Sequence, residues 1–197
     1  MKVLSRVARR AVATSAALAV AGLGISSAVL ASSSGAASAA TVTAASASWV
    51  PQCTAGNLGV WVAVDQGNGA AGSVFFPLQF TNLSGHACSL HGFPGVSAID
   101  RNGHQLGSPA NWNHVRVPRT VVLAAGATAH AVLQWSDAAV TTAPGCHPSF
   151  SAVSLRVYPP NQRSSTNAAF DLEVCSHPGP IYMSVQPIIP GVGTING

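Results

Sequence analysis

Through most of the chain beyond position 52, apolar residues alternate with polar or small ones, and Gly, Pro or Asn cuts the alternation at short intervals. That period of two predicts strands, and no long window carries a helical period. Over 57–66, Leu58, Val60, Val62 and Val64 would share one face, with Trp61, Ala63 and Asp65 opposite. A glycine-rich turn follows over 67–72. A second strand over 73–82 places Val74, Phe76, Leu78 and Phe80 together and ends in the turn-prone run Asn82-Leu83-Ser84-Gly85. These two segments form the strongest hairpin in the sequence. Further strands are expected over 89–100, 115–123, 128–136, 149–158, 168–174 and 181–187, about eight in all.

The connections carry turn chemistry: Asp100-Arg101-Asn102-Gly103, Ala124-Ala125-Gly126, and a loop over 137–148 that includes Pro144-Gly145. Many short strands at this spacing predict an all-β fold, an antiparallel β-sandwich of immunoglobulin-like architecture.

The first fifth of the chain follows different rules. Lys2, Arg6, Arg9 and Arg10 form a basic start without an acid, 11–31 is uncharged and rich in Ala, Val and Leu, and small residues fill 32–40. This is the three-part design of a secretory signal peptide, expected over 1–39. Ala37-Ser38-Ala39 supplies the small-x-small pattern for cleavage after Ala39 or Ala40, with Ala45-Ser46-Ala47 as a later alternative. A Ser/Ala/Thr-rich spacer over 40–52 and one secreted domain over 53–197 would follow. An uncleaved anchor would need the same apolar length, about 20 residues, but this stretch is Ala-rich and runs into cleavable small residues. Arg9-Arg10 matches a twin-arginine signal only weakly, so the general secretory route is expected.

Removing that segment alters the charge picture. The whole chain is formally +4, yet four of its nine basic residues lie in the signal. Arg101, Arg116, Arg119, Arg156 and Arg163 then balance Asp65, Asp100, Asp137, Asp171 and Glu173, and no Lys remains. A neutral domain without a basic run gives no support to phosphate-driven nucleic-acid binding. No membrane association is expected after cleavage.

Cys53, Cys88, Cys146 and Cys175 all lie beyond the signal, an even number in a chain routed to an oxidising space, which predicts two disulfides. Zinc sites need closely spaced pairs, and none occurs here; His147 and His177 adjoin cysteines, but paired thiols are poor ligands. Cys53 precedes the first strand of the leading hairpin and Cys88 follows the second. Cys146 and Cys175 flank the 149–158 and 168–174 strands in the same way. Antiparallel pairing brings such ends together, predicting Cys53–Cys88 and Cys146–Cys175.

The order Cys53, Ala71-Gly72-Ser73, Phe80-Thr81-Asn82-Leu83-Ser84-Gly85, Cys88-Ser89-Leu90, Gly92-Phe93-Pro94-Gly95-Val96, Ala125-Gly126, Cys146 and Cys175 resembles the actinobacterial domain of unknown function 4232. The Cys-x-Leu-x-Gly-Phe-Pro-Gly-Val run is the most specific part. The resemblance implies an exported or lipid-anchored β-rich domain without an assigned activity. Cys53 follows Trp49-Val50-Pro51-Gln52 rather than a lipobox, so a released protein is expected.

Candidate chemistry is sparse. Asp171 and Glu173 share one face of a strand and could serve glycoside hydrolysis, but Phe170, Leu172 and Val174 alternate with them, predicting a solvated acidic face. Arg156 is a cross-strand partner expected for Asp171. Seven His and many Ser show no Gly-x-Ser-x-Gly elbow. Asp100-x-Asn102-Gly103 starts like a calcium loop but lacks its closing Glu and reads as a hairpin turn. The one place where aromatic and polar groups gather on a loop is Asn111-Trp112-Asn113-His114, with Arg116 and Arg119 nearby, a candidate ligand surface. Trp49, Trp61 and Trp135 are expected at core or sheet-edge positions. No catalytic, cofactor or metal motif is present. The expectation is a secreted, non-catalytic binding or cell-surface module with a protein or cell-wall glycan as partner, the alternative being a secreted hydrolase acting on glycan or peptide.

Overall fold

The computed structural model describes residues 49–64 and 68–194. The expected signal peptide, most of the spacer, the last two residues of the first expected strand (65–66), Gly67 of the glycine-rich turn and 195–197 of the expected domain lie outside the described residues. The fold is all-β. Its strands are β1 (Leu58–Val62), β2 (Asn68–Ala70), β3 (Ser73–Asn82), β4 (Cys88–His91), β5 (Gly95–Ile99), β6 (Gln105–Leu106), β7 (Asn111–Trp112), β8 (Thr120–Leu123), β9 (Thr128–Trp135), β10 (Pro148–Tyr158), β11 (Thr166–Cys175), β12 (Met183–Val185) and β13 (Ile189–Pro190). A short helix α1 (Asp137–Thr142) and a 3-10 turn over Ala55–Asn57 complete the described elements.

The leading sheet runs β1-β3-β9-β12-β7, with β2 added to β3 and β13 to β9. A second sheet runs β11-β10-β5-β6, and β4 pairs with β8 by itself. One core joins them: Leu78, Phe80 and Leu133 from the first, Val96, Leu155 and Val157 from the second, Leu90 and Leu123 from the third. Alternation drives this arrangement, since each strand offers every second side chain to the shared interior.

The leading hairpin forms in the expected register, from Leu58 opposite Asn82 to Val62 opposite Leu78. Val64, expected on the inner face with Leu58 and Val62, is exposed because β1 ends at Val62, and Ala63 is buried instead. Ala71 and Gly72 make the two-residue turn between β2 and β3, with φ of 45° and 78°. Both signs suit a hairpin twisted the way strands twist.

Several expected segments divide. The single strand over 89–100 becomes β4 and β5 in different sheets, because Gly92 adopts φ 107° and Pro94 follows within two residues. The strand over 115–123 shrinks to β8, behind a loop holding Pro118, and 181–187 to β12. The 137–148 loop contains α1. Asp100 to Gly103 is the expected turn between β5 and β6, closed by the Gly103 N–H donating to the Asp100 carbonyl at 3.0 Å.

Both disulfides pair as expected, Cys53–Cys88 and Cys146–Cys175, with Cα separations of 4.9 and 5.0 Å. The second clips the β10–β11 hairpin end, where Pro148 lies opposite Cys175. The first reaches further: it ties the segment before β1 to β4, beside a parallel bridge between Gln52 and Ser89.

Candidate functional site

The break between β4 and β5 matters because of the residue it carries. Gly92 and Pro94 end one strand and start the next, so Phe93 sits at the corner where the chain leaves one sheet for another. β7 runs past this corner, parallel to β12, with Asn111 opposite Ser184 and Trp112 opposite Val185. The result is a stacked pair: the Phe93 and Trp112 rings lie 5.3 Å apart at 12°. His114 tilts against the other side of the cluster, 4.7 Å from Phe93. Trp112 remains 58% exposed despite this contact.

A hollow of about 410 Å³ opens beside the pair, lined by Phe93, Trp112, Pro118, Tyr158, Asn161 and Gln162 among others. Its floor is fixed by bonds among distant segments. Asn161, held at φ 60°, donates its side-chain amide to the His91 carbonyl at 3.0 Å. Gln52 donates to the Pro160 carbonyl at 2.9 Å, and the Ile188 N–H to the Gly92 carbonyl at 3.0 Å. Thr120 and the His91 ring are 3.3 Å apart. Such ties join the segments after β10 and before β1 to the corner between β4 and β5.

The five residues expected to form a ligand surface divide between two places. Trp112 lines the hollow and His114 packs on its aromatic corner. Asn111 is exposed on β7, while Asn113 is fixed into the fold, its N–H donating to the Val185 carbonyl at 2.8 Å and its side-chain oxygen accepting from Val115 at 3.1 Å. Arg116 lines a separate hollow of about 400 Å³ with Val117, Arg119, Ile188 and Pro190. Sequence reading passed over Phe93, Tyr158, Asn161 and Gln162. The signal for Phe93 was present: a Phe between Gly and Pro in an otherwise apolar strand marks a corner, not a core position.

A separate hollow of about 520 Å³ lies among Val64, Phe76, Trp135, Phe170, Asp171 and Leu172. Phe76 and Phe170 meet edge-on there at 4.9 Å, and the Trp135 indole N–H donates to the Glu173 carbonyl at 2.9 Å. Trp135 packs against the core and Trp61 stands on the edge strand β1, as expected, whereas Trp49 is 83% exposed outside any strand. Asp171 is exposed, as its alternation with core residues requires. The expected Arg156–Asp171 pairing does not form: the β10–β11 register places Arg156 opposite Asn167, and its guanidinium donates to the Gly103 carbonyl at 2.7 Å. Asp100 and His104 touch at 3.3 Å on an exposed turn, where the His104 backbone N–H above all holds the Asp100 carboxyl below its ordinary value. Among the described residues no group of three or more metal-ligating side chains occurs.

Over residues 53–186 the chain matches the family described as a domain of unknown function, DUF4232. No curated protein and no solved structure matches it.

Proposed function

Since the chain belongs to the DUF4232 family, whose description names no activity, we propose that it is an exported, non-catalytic binding module that associates with the cell surface through the Phe93–Trp112 hollow. One observation carries this reading. A large aromatic side chain, stacked and immobilised on one face yet more than half exposed, sits over a preformed hollow rather than inside a core. Two disulfides fit an oxidising, extracellular compartment, and Cys53–Cys88 braces a segment that builds the site, since Cys88 opens β4 just before the Phe93 corner. The partner is a protein or a cell-wall glycan.

The test is retention on the producing cells. Wild-type protein is expected both in the medium, starting near Ala40 or Thr41, and on the cell surface, and Trp112→Ala is expected to shift it to the medium. Equal surface retention of soluble, folded Trp112→Ala and Phe93→Ala variants would overturn the reading.

A hydrolase reading has one specific foothold, the placement of Asp171 on the wall of the 520 Å³ hollow. No second carboxylate lines that hollow among the described residues, and glycoside hydrolysis uses a pair. Loss of a robust hydrolytic activity on replacing Asp171 would favour that reading instead.

A further inference from the structure

We propose that the Phe93–Trp112 hollow binds an uncharged glycan, a chain of pyranose sugars that stacks its C–H faces on the exposed indole. The inference rests on the reading of this hollow as the binding surface and adds the chemistry of its occupant.

Charge decides first. Among the described residues lining the hollow there is no Asp, Glu, Lys or Arg. A phosphate-bearing polymer, an acidic peptide or an anionic headgroup would lose hydration on entering and gain no counter-charge. The neighbouring Arg116 and Arg119 serve a different hollow. An uncharged occupant fits.

Polar capacity decides next. Tyr158 and Gln162 line the hollow, and neither the Tyr158 hydroxyl nor the Gln162 side-chain amide makes a hydrogen bond among the described residues; Asn161 donates an amide N–H to His91 and keeps its carbonyl oxygen. A phenol and an amide each both donate and accept. That is the complement of vicinal hydroxyls, which also do both. A purely apolar ligand would leave these groups unpaired.

Shape decides last. Phe93 stacks on one face of the Trp112 indole, which is still 58% exposed, and an electron-rich ring face attracts the polarised C–H groups on the apolar side of a pyranose. Because the corner is braced by Gly92, Gln52 and Asn161 contacts, little ordering cost opposes binding.

The experiment uses the purified, disulfide-intact protein. Calorimetry and tryptophan fluorescence would follow titration with soluble β-linked oligomers of glucose, of N-acetylglucosamine and of mannose, beside a proline-rich peptide and a polyglutamate chain. At least one neutral oligosaccharide is expected to bind, with an affinity unchanged between low and high salt. Trp112→Ala should weaken it at least roughly tenfold, Trp112→Phe should restore most of that, and Trp61→Ala should leave it as in the wild type. Binding of the proline-rich peptide with the same Trp112 dependence, and of no sugar, would overturn the glycan assignment while leaving the binding-module reading intact. Failure of every sugar likewise overturns it, and the surface-retention result then separately decides whether the hollow is a binding surface at all.

Discussion

The side chain of Gln79 grips the backbone of Gly193 at both ends: its Nε2 donates to the Gly193 carbonyl at 2.9 Å and its Oε1 accepts from the Gly193 N–H at 3.1 Å. Gln79 is fully buried, and its cross-strand neighbour His130 bonds the Gly191 carbonyl at 2.9 Å, so the segment after β13 is laid over β3 and β9. A Cβ at position 193 would lie 2.5 Å from the His130 ring and 2.7 Å from Pro77. Gly193→Ala should cost about 1–3 kcal/mol by overpacking. Gln79→Ala should cost about 1–3 kcal/mol by stranding two buried backbone groups. The double variant should lose less than the sum, because either change undocks the same segment. Denaturant midpoints of the four proteins check this.

Tyr182 is buried and donates its hydroxyl to the Leu106 carbonyl at 2.9 Å. Burial pushes its phenol above the ordinary value of 10.0. The folded protein then holds that proton more tightly than the unfolded chain, so this contribution to stability is complete below pH 10.0 and declines as pH rises beyond it. Tyr182→Phe should flatten the alkaline decline and cost about 1 kcal/mol at neutral pH. Gly107→Ala should cost more than Tyr182→Phe, since φ is +63° there and an added Cβ would meet the Tyr182 ring at 2.6 Å. Urea melts across the alkaline range give both results.

The Asp100 carboxylate accepts from the backbone N–H groups of His104 and Asn102, each at 2.8 Å. With its proton affinity lowered by these bonds, Asp100 supports the turn above the ordinary carboxylate value of 3.8 and loses that support as pH falls below it. Protection of the Asn102 and His104 amides against exchange, relative to the free-peptide rate at the same pH, should be present above that point and fall as the carboxyl protonates. Asp100→Ala should abolish the pH dependence.

Replacing Cys146 and Cys175 together by Ser opens a loop of 29 residues, which the chain-entropy model values at about 3–4 kcal/mol. Loss of amide protection is expected at the Pro148 and Cys175 ends of β10 and β11, with β3 and β9 protected as before. Replacing Cys53 and Cys88 should instead disturb β4 and, through it, tryptophan fluorescence at the Phe93 corner.

Ala71 occupies the left-handed region at φ 45°, where a Cβ crowds the backbone. Ala71→Gly should raise stability by about 0.5–1 kcal/mol, read from the shift in thermal midpoint.

The strand pattern, the leading hairpin and both disulfides were legible in the sequence, because each depends on local rules. Alternation selects the face of a strand, turn residues locate its ends, and the ends of a hairpin approach each other whatever else the fold does. Cys146 and Cys175 could be paired on that ground alone. The balance of five Arg against four Asp and one Glu beyond position 40 was equally fixed by composition.

Tertiary structure decided which sheet each strand joins. The Gly92-Phe93-Pro94 run marks a break within 89–100 locally, but only the pairing of β5 with β10 and of β4 with β8 sends the two halves into different sheets. The Arg156 partner was misread for a related reason: the β10–β11 register sets Asn167 opposite it, and register is set by packing across the sheet. The hollow depends on residues far apart in the chain, with Phe93 meeting Trp112 and Asn161 reaching back to His91. Sequence could nominate Trp112 as an aromatic in a polar loop, but only long-range contacts bring Phe93, Tyr158 and Gln162 to its side.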